Sequence, residues 1–156
     1  MLVRAPGEIV DVQRFTVALR PERRRLLLAR VRTPDGRNVA VANMHLSVPS
    51  TGRAPTEVLR AAEHADRFAG EDPLLFGGDL NLRRSGEGGV FEDLRKLHDL
   101  AGPTSDDAID HLLARGMNPV ASPTALSAHA REVGGPDGLR IRLSDHAPVM
   151  GSFRVR

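Results

Sequence analysis

The sequence predicts a layered α/β or α+β domain, with a β-sheet packed against helices. Three observations predict it. A β-hairpin pattern stands near the start, two helical patterns enclose a short apolar strand in the middle, and several strand patterns close the chain. The 156 residues, 40% hydrophobic and 27% charged, suit one globular domain with room for a sizeable core.

The elements follow in order. Val10 to Leu19 mixes β-branched and apolar residues and reads as a strand, as does Arg25 to Arg32. Thr33-Pro34-Asp35-Gly36 is a turn by its chemistry, because Pro sets φ and Gly allows positive φ. Asn38 to Leu46 is then the return strand, so Arg25 to Leu46 forms a hairpin. Ser47 to Pro55 reads as a loop. Val58, Ala61, Ala62, Ala65 and Phe68 recur at helical spacing and predict a helix over Thr56 to Phe68, ended by Gly70. Pro73 to Gly77 is wholly apolar, as a buried strand is. Arg83 to Gly89 reads as a glycine-rich loop. Val90, Phe91, Leu94 and Leu97 predict a second helix over Val90 to Leu100. Ile109 to Ala114, Pro119 to Leu126 and Ala147 to Val155 complete the strands.

Composition narrows the function classes. The chain has no Cys, which excludes disulfides, thiolate metal sites and a cysteine nucleophile, and suits a reducing cytoplasm. No apolar run approaches the roughly 18 residues of a membrane span, and Met1 to Val10 shows no signal-peptide pattern. A cytoplasmic chain without a transmembrane segment is the expectation. The pI of about 10.2 carries little weight, because the net charge is only +2 and the chain has one Lys and no Tyr or Cys to titrate below Arg. The distribution says more. Residues 1–60 hold eleven Arg against five acids, residues 61–113 hold five bases against twelve acids, and residues 114–156 hold six Arg against three acids. An acidic middle between basic flanks suits a cation beside an anionic substrate, and equally a patchy solvated surface.

Four polar clusters interrupt or end the apolar strands: Asn43-Met44-His45, Gly77-Gly78-Asp79-Leu80-Asn81, Ile109-Asp110-His111 and Ser144-Asp145-His146. On a strand, Asn43 and His45 share one face, and so do Asp79 and Asn81. The paired glycines allow a ligand or another strand to approach closely. Each cluster alone also reads as a turn or as a polar side chain satisfied by nearby backbone. Together they supply imidazoles, carboxylates and a carboxamide at strand ends, a suitable set for hydrolysing a phosphate ester. Carboxylates bind a hard cation, another carboxylate takes a proton from water, and an imidazole supports phosphoryl oxygens or protonates a leaving group.

In that order, Asn-x-His-Leu, Gly-Asp-x-Asn, Ile-Asp-His and Ser-Asp-His-x-Pro-Val resemble the C-terminal half of the endonuclease/exonuclease/phosphatase superfamily. The resemblance runs from about Arg25 to Arg156 and is most specific at Gly78 to Asn81 and Ser144 to Val149. It implies part of a four-layer α/β/β/α sandwich, mainly the C-terminal sheet with its helices. It also implies roles. His45 would contact the scissile phosphate, Asp79 would orient or deprotonate the attacking water, and Asn81 would bond a phosphate oxygen and hold Asp79's surroundings. Asp110 would pair with His146, which would stabilise charge on the phosphoryl group. Asp145 would be a ligand of Mg²⁺ or Mn²⁺. Asn43, Arg83 and Arg84 are candidate substrate contacts. His111 points away from Asp110 on a strand and is left out, while His64, His98 and His129 read as surface residues.

The resemblance further implies an N-terminal half bearing an early Asn, a Glu that is the main metal ligand, and the acid that pairs with a histidine at the His45 position. Neither Glu8 nor Glu22 has the strand-end context of that Glu. The expectation is therefore a single partial domain over 1–156. It is a metal-dependent phosphoesterase module, incomplete on its own. The alternative is a non-catalytic interaction module, or one half of a split enzyme that docks with a partner chain or self-associates through an exposed sheet face. The substrate is a phosphate ester, with nucleic acid, lipid headgroup and inositol phosphate unresolved. The five Phe residues occupy mostly core-like positions and offer no evident stacking platform for bases.

Overall fold

In the computed structural model, which describes residues 1–20 and 22–156, five strands form the main sheet. They are β1 (Glu8–Ala18), β2 (Arg24–Arg32), β3 (Asn38–His45), β4 (Leu74–Asp79) and β5 (Asp110–Arg115), in spatial order β1-β2-β3-β4-β5. β3 and β4 run parallel and all other neighbours are antiparallel. The crossover between β3 and β4 is α1 (Ala54–Ala69), and α2 (Arg84–His98) lies between β4 and β5. This is the mixed α/β architecture that the sequence predicts, with a crossover helix where parallel strands require one.

Strand alternation decides which side the helices cover. Leu26 and Leu28 of β2, Ala40, Ala42 and Met44 of β3, Leu74 and Phe76 of β4, and Leu113 of β5 point to one face. There they meet Val58, Ala61, Ala62, Ala65 and Phe68 of α1 and Val90, Phe91 and Leu94 of α2, in one continuous core. The alanine-rich face of α1 lets the helix sit close to the sheet. On the other face stand Leu27, Val41, Leu75 and Leu112, all half-buried. A second pair of strands, β6 (Met117–Ala125) and β9 (Val149–Val155), covers part of that face. Val39, Ala114 and Met117 with Phe153 and Val155 form a small satellite core there. Pro119 and Pro123 leave register irregularities in β6, as expected of residues that cannot donate to a ladder.

Two segments differ from the sequence reading. The stretch Arg83 to Gly89, expected as a loop, is the N-terminal part of α2, which bends at Glu87 (φ −113°, ψ 37°). Tertiary and capping bonds offset the low helix propensity of its glycines: Glu87 Oε2 accepts from Arg83 N–H at 2.8 Å, and Ser85 N–H donates to Asp106 O at 3.0 Å. A short hairpin of β7 (Glu132–Gly134) and β8 (Arg140–Arg142) was not expected, because three-residue strands carry no readable period.

Candidate active site

The register of three strands builds the site. His45 pairs with Asp79 across β3 and β4, and Asp79 pairs with Asp110 across β4 and β5. All three side chains point to the face away from the helices, because each lies an even number of residues from Val41, Leu75 and Leu112 respectively. They stand at the carboxyl ends of the parallel strands, the end at which α/β sheets bind ligands.

The two glycines make this register possible. A Cβ at Gly77 would lie 2.1 Å from His111 O, and one at Gly78, where φ is +127°, would lie 2.0 Å from Met44 O. The close approach anticipated for this pair is thus made by the backbones of β5 and β3.

Beyond β4 the chain turns tightly around Asp79. Asp79 Oδ1 accepts from Asn81 N–H at 3.0 Å, and Asn81 adopts the left-handed conformation (φ +53°) that Asn tolerates. The Asn81 side chain is buried and its Nδ2 donates to Leu46 O at 3.0 Å, so it ties the end of β4 to the chain leaving β3. Its donor group is directed at Leu46 and away from the cleft. Leu46 is in turn followed by Ser47, whose N–H and Oγ–H both donate to the buried carboxylate of Glu57 in α1, at 2.8 and 2.7 Å. Glu57 is a supporting residue that the sequence reading missed; an acid in the first turn of the helix was the cue.

The fourth member comes from the turn before β9. His146 N–H donates to Ser144 Oγ at 3.1 Å, which sets the turn. His146 Nδ1 donates to Asp110 Oδ2 at 2.8 Å, and Nε2 lies 3.9 Å from Asp79 Oδ2. Bonding to Asp110 raises the pKa of His146 above its ordinary 6.5; burial opposes it, and the nearby charges of Asp79 and Asp145 add smaller raising effects. His45 Nε2 lies 3.3 Å from Asp79 Oδ2 and is 59% exposed. Asp79 is thus the acid beside His45 in this chain, where the resemblance implied one from elsewhere.

Ligand atoms of Asp79, Asp110 and His146 all lie within 4.8 Å of one another. The donor chemistry fits a hard divalent cation held through the carboxylates. Mg²⁺ is commonly bound by one or two carboxylates plus substrate phosphates, and His146, with Nδ1–H held by Asp110, keeps Nε2 as a nitrogen donor that a hard cation takes less readily than oxygen. Asp145, the expected metal ligand, is exposed and stands beside His146 at the rim, outside that close group.

Asn43 lines a cleft of about 450 Å³ on the open face, together with Gly77, Gly78, Asp79, Asp110 and Pro148. Arg83, Asp110, Asp145 and His146 share a second cleft of about 300 Å³. Arg84 stands apart from both clefts: it pairs with Asp106 at 3.2 Å and lines a different groove against α2. Arg83 is extended and Arg84 begins the helix, so the two side chains diverge. His98 is also corrected from a surface residue: it is half-buried and bonds Asp66. His111 is buried, donating from Nε2 to Leu82 O at 2.9 Å and accepting Thr104 N–H at Nδ1, which fixes a neutral tautomer; burial lowers its pKa.

No family model and no curated protein sequence matches the chain. Solved structures do. An endonuclease/exonuclease/phosphatase family protein of Bacteroides thetaiotaomicron superposes with a TM-score of 0.72 at 13% identity, covering 92% of this chain and 64% of that one. A mannosyl-6-phosphatase of the same organism gives 0.74 at 14%, covering 95% and 67%. TDP2 of D. rerio, solved with a single-strand DNA product, gives 0.64 at 18%, covering 96% and 69%. The chain therefore has the fold of the endonuclease/exonuclease/phosphatase proteins and spans about two thirds of the length of these structures.

Proposed function

We propose that this chain is a metal-dependent phosphoesterase module that hydrolyses a phosphodiester or phosphomonoester by direct attack of water. The row His45–Asp79–Asp110, closed by His146 on an open sheet face, carries the reading. Asp79 Oδ1 is engaged by Asn81 N–H, which leaves Oδ2 to orient a water and take its proton. His146, oriented by Asp110 and more readily protonated for that bond, meets charge developing on the phosphoryl oxygens. His45 stands on the other side of Asp79 and supports the leaving group. Asn81 is a positioning residue that holds the turn. Mg²⁺ or Mn²⁺ would be held by the oxygen of Asp110 that His146 leaves free, with Asp145 at the rim, and would supply charge neutralisation.

The fold neighbours support the reaction class: one is named as a phosphatase and another was solved with a DNA product. The expectation of a partial domain stands as part of the same proposal. The half-buried Leu27, Val41, Leu75 and Leu112 beside the site offer a face on which further sheet would complete a sandwich and add metal ligands. A cytoplasmic location is proposed with it, on the absence of cysteine. No helix among the described residues is long and apolar enough to cross a membrane.

The test is hydrolysis of bis(4-nitrophenyl) phosphate by the chain with Mg²⁺, with Mn²⁺ and with EDTA. Metal-dependent turnover that Asp79→Asn abolishes is the expected result. Turnover that survives Asp79→Asn refutes the assignment. Metal binding by the chain without turnover favours the alternative of an interaction module or split half.

A further inference from the structure

Most arginines near the site are neutralised by a carboxylate. Arg84 pairs with Asp106, and Arg140 and Arg142 of the β7–β8 hairpin both pair with Glu132, at 3.4 and 3.3 Å. Arg83 and Arg131 differ. Arg83 Nη1 donates to Asp107 O and Arg131 Nη1 donates to Asp145 O, both main-chain carbonyls. Among the described residues, neither is paired with a carboxylate. Arg131 is half-buried, and its Nε–H is enclosed and meets no acceptor.

A carbonyl fixes a guanidinium without cancelling its charge. Each guanidinium carries five N–H donors in a planar fork, so most remain free for a ligand. Both arginines line the same cleft of about 300 Å³ as Asp110 and His146, a volume at the small end of ligand sites, about 300–1,000 Å³. Three acids share that cleft. Asp110 is bonded to His146, Asp107 Oδ1 accepts from Ser85 Oγ at 2.9 Å, and Asp145 is exposed at the rim, where a bound cation would offset its charge.

We propose that Arg131, lining the same cleft as Arg83, forms an anion subsite next to the reacting centre, so that the preferred substrate is a phosphate ester with a second phosphate group beside the scissile one. This rests on the phosphoesterase reading for the identity of the ligand, though not for the existence of the subsite. Arg131 is a specificity-determining residue; it does not touch the reacting atoms. The hairpin backbone is independent of its side chain, since Leu143 N–H donates to Arg131 O at 2.8 Å.

The test is calorimetric titration of the whole chain with inorganic pyrophosphate and with inorganic phosphate, in EDTA. Arg131→Ala, Arg131→Lys and the control Arg142→Ala are compared with the wild type. Pyrophosphate is expected to bind more tightly than phosphate. Arg131→Ala is expected to weaken pyrophosphate about tenfold or more, as loss of a charge-assisted forked contact does. Arg131→Lys recovers part, and Arg142→Ala changes nothing. Equal pyrophosphate affinity in wild type and Arg131→Ala overturns the proposal. A 5′-phosphorylated thymidine dinucleotide and a hexose bisphosphate then compete with pyrophosphate. The tighter competitor names the source of the second phosphate, and competition by neither overturns the organic-ligand part. Pyrophosphate binding that depends on Arg131, without metal-dependent hydrolysis of any ester, removes the phosphoesterase reading and leaves the subsite. Hydrolysis with Arg131-independent binding does the reverse.

Discussion

At the Leu74 end of β4, Asp66, Asp72, His98, Arg30 and Arg115 close on one another. At the Asp79 end, His45, Asp79, Asp110 and His146 lie as near but leave one side open. Both groups build on two Asp and a His, but the first adds two Arg where the second adds a second His. In the first group every charge is spent: Arg115 reaches Asp66 at 2.6 Å and also Gly70 O and Asp72 O, His98 bonds the other oxygen of Asp66, and Arg30 joins Asp72 to Phe68 O. The carbonyl ends of α1 are satisfied in the same network, so this end holds α1 to the sheet. In the second group Asp79 Oδ2 has, among the described residues, only imidazoles at 3.3 and 3.9 Å, and a cleft adjoins it. Clustered ionisable groups mark a site when their bonding capacity is left over, and a structural clasp when it is used up.

The largest effect expected at the open end is on the fold. Gly78→Ala drives a Cβ into Met44 O at a left-handed φ and should cost about 3 kcal/mol in urea unfolding, by overpacking and strain together. Gly70→Ala at the clasp meets open space at φ +57°, ψ −124° and should cost about 2 kcal/mol, the strain alone. Equal costs would show that the β3–β4 approach is not tight and would break the comparison.

Next comes a double dissociation. Asp79→Asn should lower metal-dependent hydrolysis about 10²–10⁴-fold while unfolding midpoints barely move. Asp66→Asn should lower stability by about 2 kcal/mol, through partners left unpaired, with turnover per folded molecule retained. Loss of turnover from Asp66→Asn in folded protein would join the two ends into one functional unit.

A smaller effect lies in pH. The pKa of His146 is raised in the folded chain, so its contribution to stability is complete below about 6.5 and is lost as pH rises through the raised value. The alkaline limb of the rate profile should follow the same titration. Asp110→Asn removes the largest cause and should move that limb to lower pH; an unmoved limb would show that another group titrates there.

The smallest is Asn81→Gly. Glycine accepts the left-handed backbone, so only the bond to Leu46 O is lost, about 1 kcal/mol, and kcat should fall a few-fold with KM unchanged. A change confined to KM would show Asn81 contacting the substrate directly.

Local chemistry made much of this legible in the residues alone. Alternation placed Asn43 and His45 on one face, the Thr33–Gly36 turn set the hairpin, and the alanine stripe of α1 recurred at helical spacing, because each signal is carried by neighbours in the chain. The order of the four polar clusters was likewise a property of the sequence. What the tertiary structure decided is everything that depends on register and distance. His45, Asp79 and Asp110 form a row only because β3, β4 and β5 pair in one particular register. His98 changed meaning for the same reason, from a surface residue to one spent on Asp66. Whether an ionisable group is satisfied depends on partners far away in the chain, 32 residues for His98 with Asp66 and 36 for His146 with Asp110, and no local pattern encodes that separation.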